Sequence, residues 1–237
     1  MMERDGAPLT HIYYKEDKLL NAVDCIIFGF DKEELKVLLI KRDIEPEKGK
    51  WSLVGGFLHR DESLQTAARR ILNRYTGLEN IYMEQVGTFS EVDRDPGERT
   101  ISTAYYALIN IEKYSSDLIT KFSAKWFTLQ NSPKLIFDHD QMVKRALARL
   151  RERSIYKPIG FELLPKKFTM RQLQKLYEAI WDREFDKRNF INKIRSLDIL
   201  LKLDEKDMSS SRKGSYLYEF NADNYSRKNI AGPLLNL

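Results

Sequence analysis

Between Trp51 and Leu78 the chain reads WSLVGGFLHRDESLQTAARRILNRYTGL, and its chemistry-bearing residues are a glycine pair, one glutamate and a helical triplet. Positions i, i+3 and i+4 of a helix share a face. Three carboxylates placed so would converge on Mg²⁺, a hard cation that neutralises phosphate and activates water. The triplet at 71, 74 and 75 is instead Ile71, Arg74 and Tyr75. Ile71 offers no lone pair, Arg74 puts a cation where the ion would sit, and Tyr75 is neutral near pH 7. Glu62 alone cannot hold a catalytic magnesium, so the expectation is no catalytic residue, no metal and no cofactor. Gly55 and Gly56 permit a tight loop, while Ala67, Ala68, Ile71 and Leu72 give the helix an apolar side.

This stretch resembles a Nudix box, whose pattern runs Gly, five residues, Glu, seven residues, Arg-Glu-apolar-x-Glu-Glu-x-Gly-apolar. Gly56, Glu62, Arg70, Leu72, Gly77 and Leu78 keep the spacing, and the three helix glutamates are the replaced positions. The resemblance covers about residues 10–155. It implies a Nudix fold, a mixed sheet sandwiched by helices, without its hydrolase chemistry.

The elements needed to hold such a site are legible. NAVDCIIFGF (21–30) and LKVLLIK (35–41) are apolar, β-branched runs that read as paired strands. Residues 63–75 form the box helix, 82–89, 101–110 and 125–129 further strands, and 138–153 a helix with Met142, Ala146 and Leu150 on one side. Pro96 and Gly97 break the acidic turn EVDRDPGER. A few polar side chains stand inside or beside these strands: Asp24, Lys41, Thr103, and Glu91 in the acidic turn. Buried charge requires a partner or a ligand, so these four are candidates for lining a ligand pocket; the other reading makes each the exposed face of an edge strand. His11, His59 and His139 have no metal-ligand spacing.

The formal charge of +5 divides into −1 over residues 1–150 and +6 over 151–237, which points the C-terminal third toward a polyanion. Pro158, Gly160 and Pro165 mark a linker, giving domains at 1–155 and 156–237. Thr169 caps a helix carrying Leu173, Leu176, Tyr177 and Ile180 on one face. A short turn leads to a second helix, 186–197, with a buried stripe of Phe190, Ile191, Ile194 and Leu197. Outward it leaves Lys187, Arg188, Asn189, Asn192, Lys193, Arg195 and Ser196, side chains suited to base edges and phosphates. Two strands, 199–203 and 215–220, flank a polar loop tipped by Arg212 and Lys213. Helix, turn, helix and wing in this order resemble a winged helix-turn-helix domain.

Together the halves, with FTMRQLQKLYEAIWDREFDKRNF and DRDPGERTISTAYYAL, resemble the NrtR/AraR-like Nudix-related transcriptional regulators. The likeness is greatest to the arabinose-responsive branch of Bacteroidetes. It implies a homodimeric repressor on a pseudo-palindromic double-stranded DNA operator, and not an enzyme. Its effector would be a sugar such as L-arabinose or, alternatively, ADP-ribose or another NAD metabolite. Two other functions remain open: a hydrolase with an atypical metal site at Glu62, Glu91 and Asp93, or a C-terminal domain that binds a protein. Cys25 is the sole cysteine and no apolar run is long enough to span a bilayer, so a soluble cytoplasmic protein without a membrane partner is expected.

Overall fold

The computed structural model describes residues 16–31, 33–113, 121–209 and 213–228. Two long apolar strands, β1 (Leu20–Asp31) and β6 (Thr100–Asn110), run parallel at the centre of a seven-stranded sheet. Every other pairing is antiparallel: β2 (Glu34–Lys41) and β4 (Val54–Phe57) on β1, β3 (Trp51–Ser52) and β7 (Lys125–Thr128) on β2, and β5 (Tyr82–Phe89) on β6.

Because strand side chains alternate between faces, the central strands supply two cores. On one face Val23, Cys25, Ile27, Tyr105 and Ala107 meet the box helix α1 (Leu64–Thr76) through Ala67, Ala68, Ile71 and Leu72. Ser63 caps α1 by accepting the Thr66 N–H at 3.2 Å. Gly77 ends it in the left-handed region at φ 69°, a conformation that favours glycine.

On the other face Ile26, Phe28, Val37, Ala104 and Tyr106 meet the long helix α2 (His139–Tyr156) through Met142, Ala146 and Leu150. The segment after α2 contains a 3₁₀ turn at Phe161–Leu163 and buries Ile159, Leu163 and Leu164 in this same core. The proline and glycine residues expected to mark a linker do end the helix, but the apolar residues between them are packed.

The C-terminal elements follow the expected order: β8 (Phe168–Thr169), α3 (Met170–Trp181), α4 (Lys187–Leu197), β9 (Leu200–Asp207), β10 (Ser215–Phe220) and a short α5 (Ala222–Lys228). Thr169 and Gln172 form a reciprocal capping box at α3. The turn into α4 is tied by Gln174, which donates to Glu178 Oε1 (2.9 Å) and the Phe185 carbonyl (3.0 Å), and by the Phe185 N–H on Glu178 (3.1 Å). One expectation needs correction. β9 continues to Asp207, because beyond a break in register Lys206 and Asp207 pair with Tyr216 and Ser215 of β10, so the wing loop is shorter than eleven residues.

Leu173, Leu176, Tyr177 and Ile180 of α3 lie in the same core as the β1–β2 face and α2. Truncating the fully buried Leu176 to alanine is expected to cost about 2–5 kcal/mol and to lower one melting transition for the whole chain. A variant in which the winged helix melts separately, with the remaining transition unmoved, would contradict the shared core.

Candidate functional site

Where α1, β4 and the loops after β2 and β5 meet, a cleft of about 360 Å³ opens beside the box. Its lining includes Asp24, Arg42, Arg70, Arg74, Tyr75, Arg94, Phe137 and His139. Of the four polar candidates from the strands, only Asp24 is among these. It is buried, and accepts the Ser102 hydroxyl at 2.6 Å. Gly55 sits opposite it in β4, and a Cβ there would collide with its carboxylate.

The other three candidates lie elsewhere, for identifiable reasons. Thr103 is buried but registers with Val23, so alternation turns it to the α1 face, away from Asp24. Lys41 is exposed, its ammonium 4.3 Å from the Trp51 ring centroid across the β2–β3 pair. Glu91 is exposed, and it is its backbone carbonyl that accepts Arg99 at 3.0 Å.

Asp24 belongs to a polar cluster that spacing along the chain gives no means of seeing. Arg94, only 2% exposed at its side chain, donates twice to Asp138, at 2.9 and 2.7 Å, and stands 3.8 Å from Asp24. Asp138 precedes α2 without capping it; its carboxylate serves Arg94 instead. The neighbouring His139 accepts the Leu53 N–H on Nδ1 at 3.2 Å, which leaves the ring proton on Nε2, 3.7 Å from Asp24. Burial pushes its pKa below the ordinary 6.5, so the ring is neutral near pH 7.

The box positions have been put to other uses. Ile71 is a core residue, 1% exposed, packed beneath Gly56. Tyr75 is half-buried, its ring 4.5 Å from that of Phe122. Arg74 is exposed at the cleft. Glu62 is committed to Arg70, with contacts of 2.9 and 2.5 Å, and also accepts the His59 N–H at 2.8 Å. Magnesium requires gathered oxygen ligands, and this donor set does not fit it. Among the described residues, no group of three or more His, Cys, Asp or Glu could hold a metal ion.

In the second candidate surface, Lys187, Arg188, Asn192 and Arg195 share one shallow face of α4 with Ile191. Asp186 caps the helix by accepting the Asn189 N–H at 2.8 Å. Asn189 is exposed but falls outside that set, and Lys193 is half-buried on the helix flank, near Phe190 and Ile194. Lys213 is exposed beside the wing. Arg212 and His11 lie outside the described residues. No described helix is long and apolar enough to cross a membrane.

Fold and site together define a Nudix domain joined to a winged helix-turn-helix. Residues 18–146 match the NUDIX domain family, and residues 160–220 match the NrtR DNA-binding winged helix domain. The ADPR responsive transcriptional repressor NtrR of Acinetobacter baylyi is 33% identical over 219 residues, covering 90% of this chain and 87% of that protein. The chain belongs to the NrtR family of Nudix transcriptional regulators. The NrtR structure of Shewanella oneidensis in complex with a 27mer DNA is 28% identical and superposes with a TM-score of 0.78, covering 86% of this chain and 95% of that one. The ADP-ribose pyrophosphatase of Methanocaldococcus jannaschii is 37% identical over 124 residues, which cover 52% of this chain and 70% of that enzyme.

Hydrogen-bonded Arg70 holds the Glu62 carboxyl at about 2, below its ordinary 4.5. A lowered folded-state value contributes stability above pH 4.5 that is lost as pH falls toward about 2. Glu62→Gln is therefore expected to lower the melting temperature at pH 7, with the difference shrinking as the pH falls below 4.5. An equal difference at pH 7 and at about pH 3 would contradict the ion pair.

Proposed function

We propose that this protein is a transcriptional repressor that binds a pseudo-palindromic operator as a homodimer and releases it when ADP-ribose occupies the Nudix cleft. The observation that carries this reading is a conjunction within one chain. The box helix presents Arg74 and Tyr75 where a hydrolase needs carboxylates, and α4 leaves Arg188, Asn192 and Arg195 on one open face. Residues 1–155 would then sense the effector and 156–237 read DNA.

The choice of effector rests on two supports. The Acinetobacter baylyi relative is described as responsive to ADPR. In the cleft, guanidinium groups suit phosphate oxygens, and the Phe137 and Tyr75 rings offer apolar faces to a base or ribose. A neutral sugar such as L-arabinose, implied by the likeness to the Bacteroidetes branch, would leave the Arg74 charge unused, and no relative reported above is described as responding to one.

Lack of hydrolysis is part of the same proposal. Glu62 is held by Arg70, while Glu91 and Asp93 are exposed on the loop after β5, so the three do not assemble an alternative metal site. A single winged helix makes few base contacts. Operator-level affinity then needs two copies with recognition helices roughly 34 Å apart. The effector releases DNA by favouring a dimer geometry that spoils this spacing.

The test is a selection of preferred DNA sequences followed by gel-shift titration. ADP-ribose is expected to weaken operator binding by roughly 5–150-fold, and L-arabinose to leave it unchanged. Release by L-arabinose alone would transfer the effector role to a sugar, and failure to select any sequence would favour a protein partner for the C-terminal domain. Arg188→Ala and Arg195→Ala are each expected to cost about 1–3 kcal/mol of operator affinity with the melting temperature unchanged. Unaltered affinity in both would move DNA recognition off this face of α4.

A further inference from the structure

The Nudix cleft holds four guanidinium groups, and three are already engaged. Arg70 lies on Glu62, Arg94 lies on Asp138, and Arg42 donates Nε to the carbonyls of Ile44 (3.1 Å) and Pro46 (2.6 Å). Arg74 differs. It is exposed and, among the described residues, forms no ion pair or hydrogen bond; its guanidinium carbon stands 5.5 Å from the Tyr75 ring centroid. It follows Arg70 by one helical turn on α1 and lines the same cavity.

Its neighbours on that face bring no charge: Ile71 packs under Gly56, and the ring of Tyr75 leans on that of Phe122. The place where carboxylates would gather a cation therefore keeps a fixed positive charge of its own, with its donors unspent. A planar guanidinium matches two phosphate oxygens at once and is charged at every physiological pH. A lysine there would be only a point charge. A carboxylate there would repel a diphosphate unless an ion came between them.

We propose that Arg74 takes the part of the divalent cation in this cleft, binding the effector's diphosphate directly, so that effector binding is independent of magnesium. This rests on the reading above that the Nudix cleft is the site of a phosphate-bearing effector. Glu62 then acts as a positioning residue: by holding Arg70 it keeps the loop of residues 57–63 against α1, and it spares Arg74 from being neutralised by the one box glutamate that remains.

Calorimetric titration of the full chain with ADP-ribose, in EDTA and in millimolar Mg²⁺, separates the possibilities. The proposal expects dissociation constants that agree within about twofold in the two buffers, a weakening of tenfold or more in Arg74→Ala, and partial recovery in Arg74→Lys. The melting temperature of Arg74→Ala should match the wild type, since the side chain is exposed, so lost binding would not reflect lost folding. Wild-type binding that collapses in EDTA, or Arg74→Ala binding equal to wild type, overturns the proposal while leaving ADP-ribose as the effector. No binding of ADP-ribose in either buffer overturns both.

Discussion

One face of the central sheet is buried twice over, by α2 and by the first helix of the helix-turn-helix, and the rest of the molecule depends on that packing. Phe28 and Val37 from the sheet, Leu150 from α2, and Leu173, Leu176 and Ile180 from α3 belong to one apolar cluster. Polar contacts bind the same seam: Arg151 Nε donates to the Ile180 carbonyl at 2.6 Å, and the Trp181 indole N–H to Ser154 at 3.1 Å. Close-packed interiors transmit displacement rather than absorb it. Helix α4 joins the same cluster through Phe190 and Ile194, so in the proposed dimeric repressor an effector acts on how protomers are arranged.

The long helix α2 joins the two ends of this argument. Its first residues touch the cleft, with Asp138 on Arg94 and His139 beside Asp24, while Arg151 and Ser154 near its far end hold α3. Eighteen residues span about 27 Å. A change in the hydrogen bonding of Arg94 bears directly on the helix that seats the winged domain. The cleft retains the Nudix frame, the glycine loop and the Glu62–Arg70 pair, but its buried charge is arranged around fixed side chains rather than around an ion. That arrangement is what supports the proposal that the cleft retains its ligand without cleaving it.

Much of this was legible in the sequence because it rests on local rules. Strand runs, the apolar side of the box helix, the Thr169 cap and the order of the winged-helix elements all follow from period and capping. The substituted triplet 71, 74 and 75 was visible through the resemblance to the Nudix box, and helix spacing puts those residues on one face. The cleft itself was not legible. Asp24 was found because a carboxylate in an apolar strand demands a partner, but its neighbours Ser102, Arg94 and His139 come from distant segments united only by sheet pairing and the position of α2. Thr103 misled because polarity within a strand does not say which face it occupies; register does. On α4, a period argument that treats every polar residue as outward could not separate the central Arg188 and Asn192 from the flanking Lys193.

The central claim of the proposed mechanism, that each protomer of a dimer moves as one body and the signal passes between protomers, is tested most directly by electron-electron spin distances. Cys25 is fully buried, so labels introduced at the exposed positions Glu79 and Ser196 would report alone. With labelled chains diluted into unlabelled ones, the Glu79–Ser196 distance within a protomer should be the same with and without effector. In dimers labelled at Ser196 alone, the distance between protomers should shift when effector binds. A changed distance within the protomer, with the distance between protomers constant, would contradict the account.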